Sequence, residues 1–179
     1  RLEGYLKEQG IVGIAGIDTR ALTKRLRIEG TMKGIITTED LPKEELVAKA
    51  QQAPGLSGRD LVGKVTRDEV FRVGIDGQYK VVLIDCGAKE NIIRSLAGRD
   101  CEVAVVPADT SVEEILAHQP DGIMLSNGPG DPQDASYVVD TVQELMEQEI
   151  PIFGICLGHQ LISLAWGAET YKLKFGHRG

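Results

Sequence analysis

Gly154-Ile155-Cys156-Leu157-Gly158-His159-Gln160 stands between two apolar runs. Pro151-Ile152-Phe153 before it is short and reads as a buried strand. Leu161-Ile162-Ser163-Leu164-Ala165-Trp166 after it ends at Gly167, a C-cap glycine, and reads as a buried helix. Cys156 then sits on a tight strand-to-helix turn between two glycines. That is the cysteine form of the G-x-S-x-G nucleophile elbow. A free thiol is mostly protonated at neutral pH, and the partial positive charge of a helix N-terminus favours its thiolate. The Leu157 N–H would point to where an oxyanion forms. Taken alone, G-x-C-x-G fits equally well a structural cysteine buried ahead of a core helix.

Working back from the elbow, a repeating pattern begins at Tyr79. Lys80–Asp85, Glu102–Val106, Gly122–Ser126 and Pro151–Ile155 read as strands. Between them lie helices over Lys89–Ala97, from the capping box Ser111-x-x-Glu114 to about His118, and over Asp134–Glu149. Alternation of this kind predicts an open, mostly parallel sheet with helices on both faces. Such sheets bind ligands beyond the carboxyl ends of their strands. The elbow falls there. So does Ser126-Asn127-Gly128-Pro129-Gly130-Asp131-Pro132, whose glycines expose backbone N–H groups with little side-chain bulk. In isolation that loop is a tight turn; beside the elbow it reads as a wall of a site. Cys86-Gly87-Ala88-Lys89 lacks the glycine spacing of a phosphate loop and reads as a strand-to-helix turn. His159, three residues after Cys156, is a poor general base, because an elbow aims its nucleophile out of the turn. His118 is expected to be solvated at a helix end.

The first part of the chain differs. Residues 11–38 read as strand, helix, strand, with Asp18 or Thr19 capping a helix to about Ile28 and Ala21, Leu22 and Leu26 on its inner face. Residues 42–52 read as a short amphipathic helix with Leu46, Val47 and Ala50 inward. Residues 53–78 hold no catalytic pattern. Residues 1–78 carry 13 basic and 12 acidic side chains, net +1, whereas 79–179 carry 7 and 15, net −8. That shift, beside Gly74-Ile75-Asp76-Gly77, puts a domain boundary near residue 78.

Composition bounds the function. The 179 residues are 42% hydrophobic, enough for a core, and carry a net charge of −7. Without a basic stripe or aromatic-basic interleaving, nucleic-acid binding is not expected. No apolar run reaches transmembrane length and no signal-peptide pattern opens the chain, so no membrane partner is expected. Cys86, Cys101 and Cys156 are widely spaced, which suits a reduced cytoplasmic protein better than a disulfide framework or a metal site. The opening Arg1-Leu2-Glu3-Gly4 suggests a fragment.

The elbow and the Ser126–Pro132 loop together resemble the nucleophile and glutamine-site motifs of class I (triad-type) glutamine amidotransferases. Ile17-Asp18-Thr19-Arg20-Ala21-Leu22-Thr23 and Lys172-x-Lys174-Phe175-Gly176-His177-Arg178-Gly179 resemble, within that class, the small glutamine-hydrolysing subunits of carbamoyl phosphate synthetases. The resemblance implies that Cys156 attacks the amide of L-glutamine to form a thioester. It also implies that Gly128, Gly130, Leu157 and Gln160 line the glutamine site, and that ammonia passes to a large synthetase subunit for carbamoyl phosphate, arginine and pyrimidine synthesis. ATP and metal would belong to that partner, with no cofactor here. Residues 1–78 would be the C-terminal part of the subunit's smaller α/β N-terminal domain plus the linker that residues 53–78 complete, and 79–179 the amidotransferase domain, truncated before its histidine and glutamate. The family's catalytic histidine and glutamate would lie beyond Gly179, so these residues alone should be inactive or nearly so.

Three other readings compete. Another class I amidotransferase, serving anthranilate, GMP or CTP synthesis, is disfavoured by residues 11–38. A cysteine α/β-hydrolase is disfavoured by the Gly-Pro-Gly loop and Gln160. A non-catalytic module that docks on a synthetase would bind the large subunit without thiol-dependent hydrolysis.

Overall fold

The computed structural model describes residues 2–174. It divides into two compact units, Leu56–Thr170 and a smaller one built from the N-terminal residues through Gly55 with the segment from Tyr171.

The larger unit is a five-stranded sheet in the order β1-β3-β2-β4-β5. Its strands are β1 (Phe71–Val73), β2 (Tyr79–Asp85), β3 (Cys101–Pro107), β4 (Gly122–Leu125) and β5 (Ile152–Gly154). All neighbours are parallel except β1, which runs antiparallel to β3 at the edge. Side chains alternate between the faces, as strand geometry requires. Val82 and Ile84 of β2, Ala104 and Val106 of β3, and Ile123 and Leu125 of β4 face one way. Over them pack Ile115 of α5 (Val112–Ala117), Val138, Val142 and Leu145 of α6 (Ser136–Met146), and Leu157 and Leu161 of α7 (Leu157–Ala165). Leu83, Val103 and Val105 face the other way, under Ile93 of α4 (Glu90–Ala97). The parallel α/β architecture expected from the alternating pattern is therefore present, with one helix on one face and three on the other.

Local signals behave as their chemistry predicts. Ser111 and Glu114 form both bonds of the capping box that starts α5. Pro132–Ala135 make a 3-10 turn before α6, so that helix starts two residues later than its apolar period suggests. Gly167, at φ +85°, follows the last turn of α7 and donates to the Leu164 carbonyl. The charge boundary near residue 78 falls inside this unit: residues 56–78 are part of it, through Val62 in the core and through β1. Charge records the surface, whereas one buried valine, worth roughly 1.5–3 kcal/mol, fixes this segment to the sheet.

Among its described residues the smaller unit holds three helices, α1 (Leu2–Glu8), α2 (Thr19–Glu29) and α3 (Lys43–Gln52). Asp18 caps α2 by accepting from the Ala21 N–H at 2.9 Å. The strands expected over 11–17 and 32–38 are not formed: both segments carry no ladder among the described residues. The expected inward faces of α2 and α3 are not buried either: Leu22 is 48% and Val47 45% exposed.

Candidate active site

β5 ends at Gly154 and α7 begins at Leu157, leaving two residues to turn the chain. Cys156 makes the turn at φ +54°, ψ −106°. A β-carbon in this region is strained, at about 1–3 kcal/mol, and holds only where its surroundings over-determine it. Here they do. The Ile155 N–H donates to the Leu125 carbonyl at 3.0 Å, and the Gly158 N–H to the Ser126 carbonyl at 3.1 Å. The two sides of the elbow are thus both tied to the end of β4.

The flanking glycines are steric requirements. A β-carbon on Gly158 would lie 2.5 Å from the Leu125 carbonyl oxygen and 2.7 Å from the Leu125 β-carbon. One on Gly154 would strike Gly158 and sit 2.5 Å from the His159 nitrogen. Gly154 therefore lets the strand pass under the first turn of α7, and Gly158 lets that turn rest on β4. The third close approach joins the two loops: a β-carbon on Gly128 would overlap the Cys86 carbonyl and lie 2.6 Å from Leu157 Cδ2.

The 126–132 loop is braced from three directions. Ser126 is fully buried, and its hydroxyl accepts from the Cys86 N–H at 2.9 Å. The Asn127 side chain accepts from the Lys89 N–H at 3.1 Å and donates to the Gly87 carbonyl at 3.1 Å. Ser57 Oγ donates to Asp131 at 3.2 Å, and Asp134 accepts from the Gly58 and Arg59 N–H groups at 3.0 and 3.1 Å. Gly130, at φ +91°, faces the Leu61 side chain. Asp85, 3% exposed, holds the neighbouring turn by accepting from the Gly87, Ala88 and Arg67 N–H groups.

The cysteines separate by environment. Cys156 is exposed, whereas Cys86 and Cys101 are buried. Burial, with Asp85 beside it, pushes the Cys86 thiol up to about 12, so it stays protonated and inert. Leu157 is 1% exposed, so what it can offer a ligand is its N–H. Gln160 is exposed one turn further along α7. His159 is exposed on the first turn, and its carbonyl accepts from Ser163. His118 is half-buried rather than solvated: Arg72 Nη2 lies 2.7 Å from its Nδ1. Burial and that guanidinium lower its pKa. His177 lies outside the described residues. A cavity of about 390 Å³ lined by Asp60, Arg67, Asp109 and Tyr137 opens near the end of β3, and Cys156 is not part of it. Among the described residues no cluster of acidic, histidine or cysteine side chains could hold a metal ion. Among the described residues no helix is long and apolar enough to cross a membrane.

The profile described as "Glutamine amidotransferase class-I" matches residues 82–179. The chain belongs to the class-I glutamine amidotransferase family. This amidotransferase chain also matches, over residues 1–36, the profile described as "Carbamoyl-phosphate synthase small chain, CPSase domain". It is 48% identical over 199 residues to the carbamoyl phosphate synthase small chain of Rhodopirellula baltica. It is 50% identical over 192 residues to that of Syntrophotalea carbinolica. It is 51% identical over 181 residues to that of Chlorobaculum tepidum. Each alignment covers 99% of this chain and 50–51% of the relative. The chain thus spans about half the length of the curated relatives it matches.

The residues that sequence reasoning passed over are the braces. Ser57, Gly58 and Arg59 belong to a stretch read as linker, Asp85 was read only as a strand end, and Asn127, though inside the quoted loop, was given no role. A polar residue at the end of an apolar strand, as Asp85 and Ser126 both are, was the signal available.

Proposed function

We propose that this chain carries the glutamine-binding loop and the nucleophile of a carbamoyl phosphate synthetase small subunit. The observation that carries this is Cys156 itself: exposed, at φ +54° between β5 and α7, with Gly128 packed against Leu157.

The chemistry follows from that placement. The Cys156 thiolate attacks the side-chain carbonyl carbon of L-glutamine. A C–S bond forms, and the carbonyl π electrons move to oxygen. The N–H groups of Leu157 and Gly128 receive that oxyanion. One such donor is worth roughly 3–4 kcal/mol in the transition state. The C–N bond then breaks, and the nitrogen leaves as ammonia with a proton from the general acid. Water hydrolyses the thioester to glutamate and restores the thiolate. Gln160 and the Gly130 turn hold the amino-acid end of the substrate. The resemblance assigns proton transfer to a histidine–glutamate pair outside these 179 residues, so turnover belongs to the longer polypeptide. Ammonia passes to the large synthetase subunit, which joins it to bicarbonate with two ATP in the cytoplasm. The match of residues 1–36 to the small-chain profile supports this reading over other amidotransferases.

The test is Cys156→Ser in the full-length polypeptide assembled with its large subunit. Glutamine-dependent carbamoyl phosphate formation should fall by three orders of magnitude or more, while synthesis from added ammonia should stay within twofold. Glutamine-dependent synthesis surviving the substitution would refute the assignment. So would an intact protein that binds the large subunit but never hydrolyses glutamine.

A further inference from the structure

We propose that the Ser126 hydroxyl is a positioning group that aims the Gly128 N–H into the site. This rests on the glutaminase reading above and deepens it.

The hydroxyl is fully buried and has one proton to give. The Cys86 N–H is a donor only, so at 2.9 Å Ser126 Oγ must accept there. Its own proton is left for the Asn127 carbonyl, 2.7 Å away. The direction of both bonds is therefore fixed, forming a relay from Cys86 N–H through Ser126 Oγ–H to the Asn127 oxygen. The Asn127–Gly128 peptide is trans, with no cis bond among the described residues. In a trans peptide the N–H points opposite to the C=O. Holding the Asn127 oxygen inward on the buried hydroxyl turns the Gly128 N–H outward, on the residue whose α-carbon abuts Leu157. The main chain of Ser126 adds the reference frame. Its N–H donates to Ile84 of β2 at 3.1 Å, and its carbonyl accepts from Gly158 at the start of α7. One residue thus sets the glutamine loop relative to both the sheet and the elbow.

Removing the hydroxyl leaves the Asn127 carbonyl without its partner and lets the peptide plane rotate. The nucleophile should be untouched, because the Ile155 and Gly158 bonds that hold the elbow use main-chain atoms.

The test compares Ser126→Ala, Ser126→Thr and Ser126→Cys in the full-length polypeptide with its large subunit, beside wild type and Cys156→Ser. Wild-type turnover that vanishes in Cys156→Ser establishes the underlying reading; its failure would be seen there, independently of Ser126. Given that, Ser126→Ala should lower glutaminase kcat by about 10–100-fold, short of the 10²–10³-fold for losing a donor outright. KM for glutamine should move less than threefold. The pH profile of Cys156 alkylation by iodoacetamide, which needs no oxyanion donor, should be unchanged. Ser126→Thr, which keeps the hydroxyl, should recover kcat to within fivefold of wild type. If the alanine variant does not fold, Ser126→Cys, whose thiol is a weak donor, decides: kcat should fall at least fivefold with alkylation unchanged. Wild-type kcat in a folded Ala or Cys variant would overturn the proposal. A parallel fall of kcat and alkylation rate would overturn it too, since that is loss of the elbow rather than of the donor.

Discussion

Replacing Gly158 with alanine would set a β-carbon between α7 and β4. At the present spacing it would lie 2.5, 2.7 and 2.8 Å from the oxygen, β-carbon and carbonyl carbon of Leu125. Ordinary contact begins near 3.4 Å, so α7 must withdraw by about 0.6–0.9 Å. Leu125 is fully buried in a parallel sheet and has little room to yield. The withdrawal stretches the Gly158–Ser126 and Ile155–Leu125 hydrogen bonds, now 3.1 and 3.0 Å, past useful length. Overpacking costs about 1–3 kcal/mol and each lost bond about 0.5–1.5, for a destabilisation of about 2–6 kcal/mol. A shift approaching 1 Å at the nucleophile should also cost on the order of 100-fold in turnover. Urea unfolding of wild type and Gly158→Ala measures the first effect. Iodoacetamide labelling read by peptide mass mapping measures the accessibility of Cys156, with buried Cys86 as the internal standard. Destabilisation below 1 kcal/mol with unchanged glutaminase activity would refute the reasoning, because the approach of α7 to β4 would then not demand glycine.

Two further outcomes are expected. The Cys86 thiol ionises near 9 when unfolded and near 12 when folded, so the unfolded state releases its proton first as pH rises. Its contribution is complete below pH 9 and is lost toward pH 12, at about 1.4 kcal/mol per pH unit. Urea melts should show stability falling by about 1 kcal/mol between pH 9 and 10, where the unfolded thiol goes from half to nearly fully ionised, and Cys86→Ala should remove that fall. Asp134→Ala removes the acceptor of the Gly58 and Arg59 N–H groups. It should cost about 1.5–3 kcal/mol in urea unfolding and raise KM for glutamine more than it lowers kcat, since the brace acts on the 131–134 end of the loop.

The four parallel strands were legible because each is a short apolar run bounded by glycine, proline or a helix cap, as Lys80–Asp85 and Gly122–Ser126 show; the three-residue edge strand β1, Phe71–Val73, was not, because a run that short carries no period. The elbow was legible because only glycine fits at 154 and 158, and that need is written directly in the sequence. The braces were not legible. Asp85 and Ser126 look like strand ends until their distant partners, Arg67 and Cys86, 18 and 40 residues away, come into reach. Segment 56–66 looks like a linker because its one core residue, Val62, sits among glycines and charges. The strands expected at 11–17 and 32–38 had the right composition, but a strand exists only with a neighbour to pair with, and composition does not supply one.

The strained turn has a consequence for how this site tolerates change. At Gly128, Gly154 and Gly158 the fold and the chemistry want the same atom absent, so a screen for stability alone would retain all three. At Cys156 they disagree: the turn imposes a positive φ on a residue that carries a β-carbon, and a glycine there would relieve that strain. Random mutagenesis selected only for a well-folded product should therefore drift away from cysteine at this position while leaving its glycine frame in place. Such a population would keep the cradle and lose the nucleophile, and drift at 156 against constancy at 154 and 158 would separate what folding requires from what reaction requires.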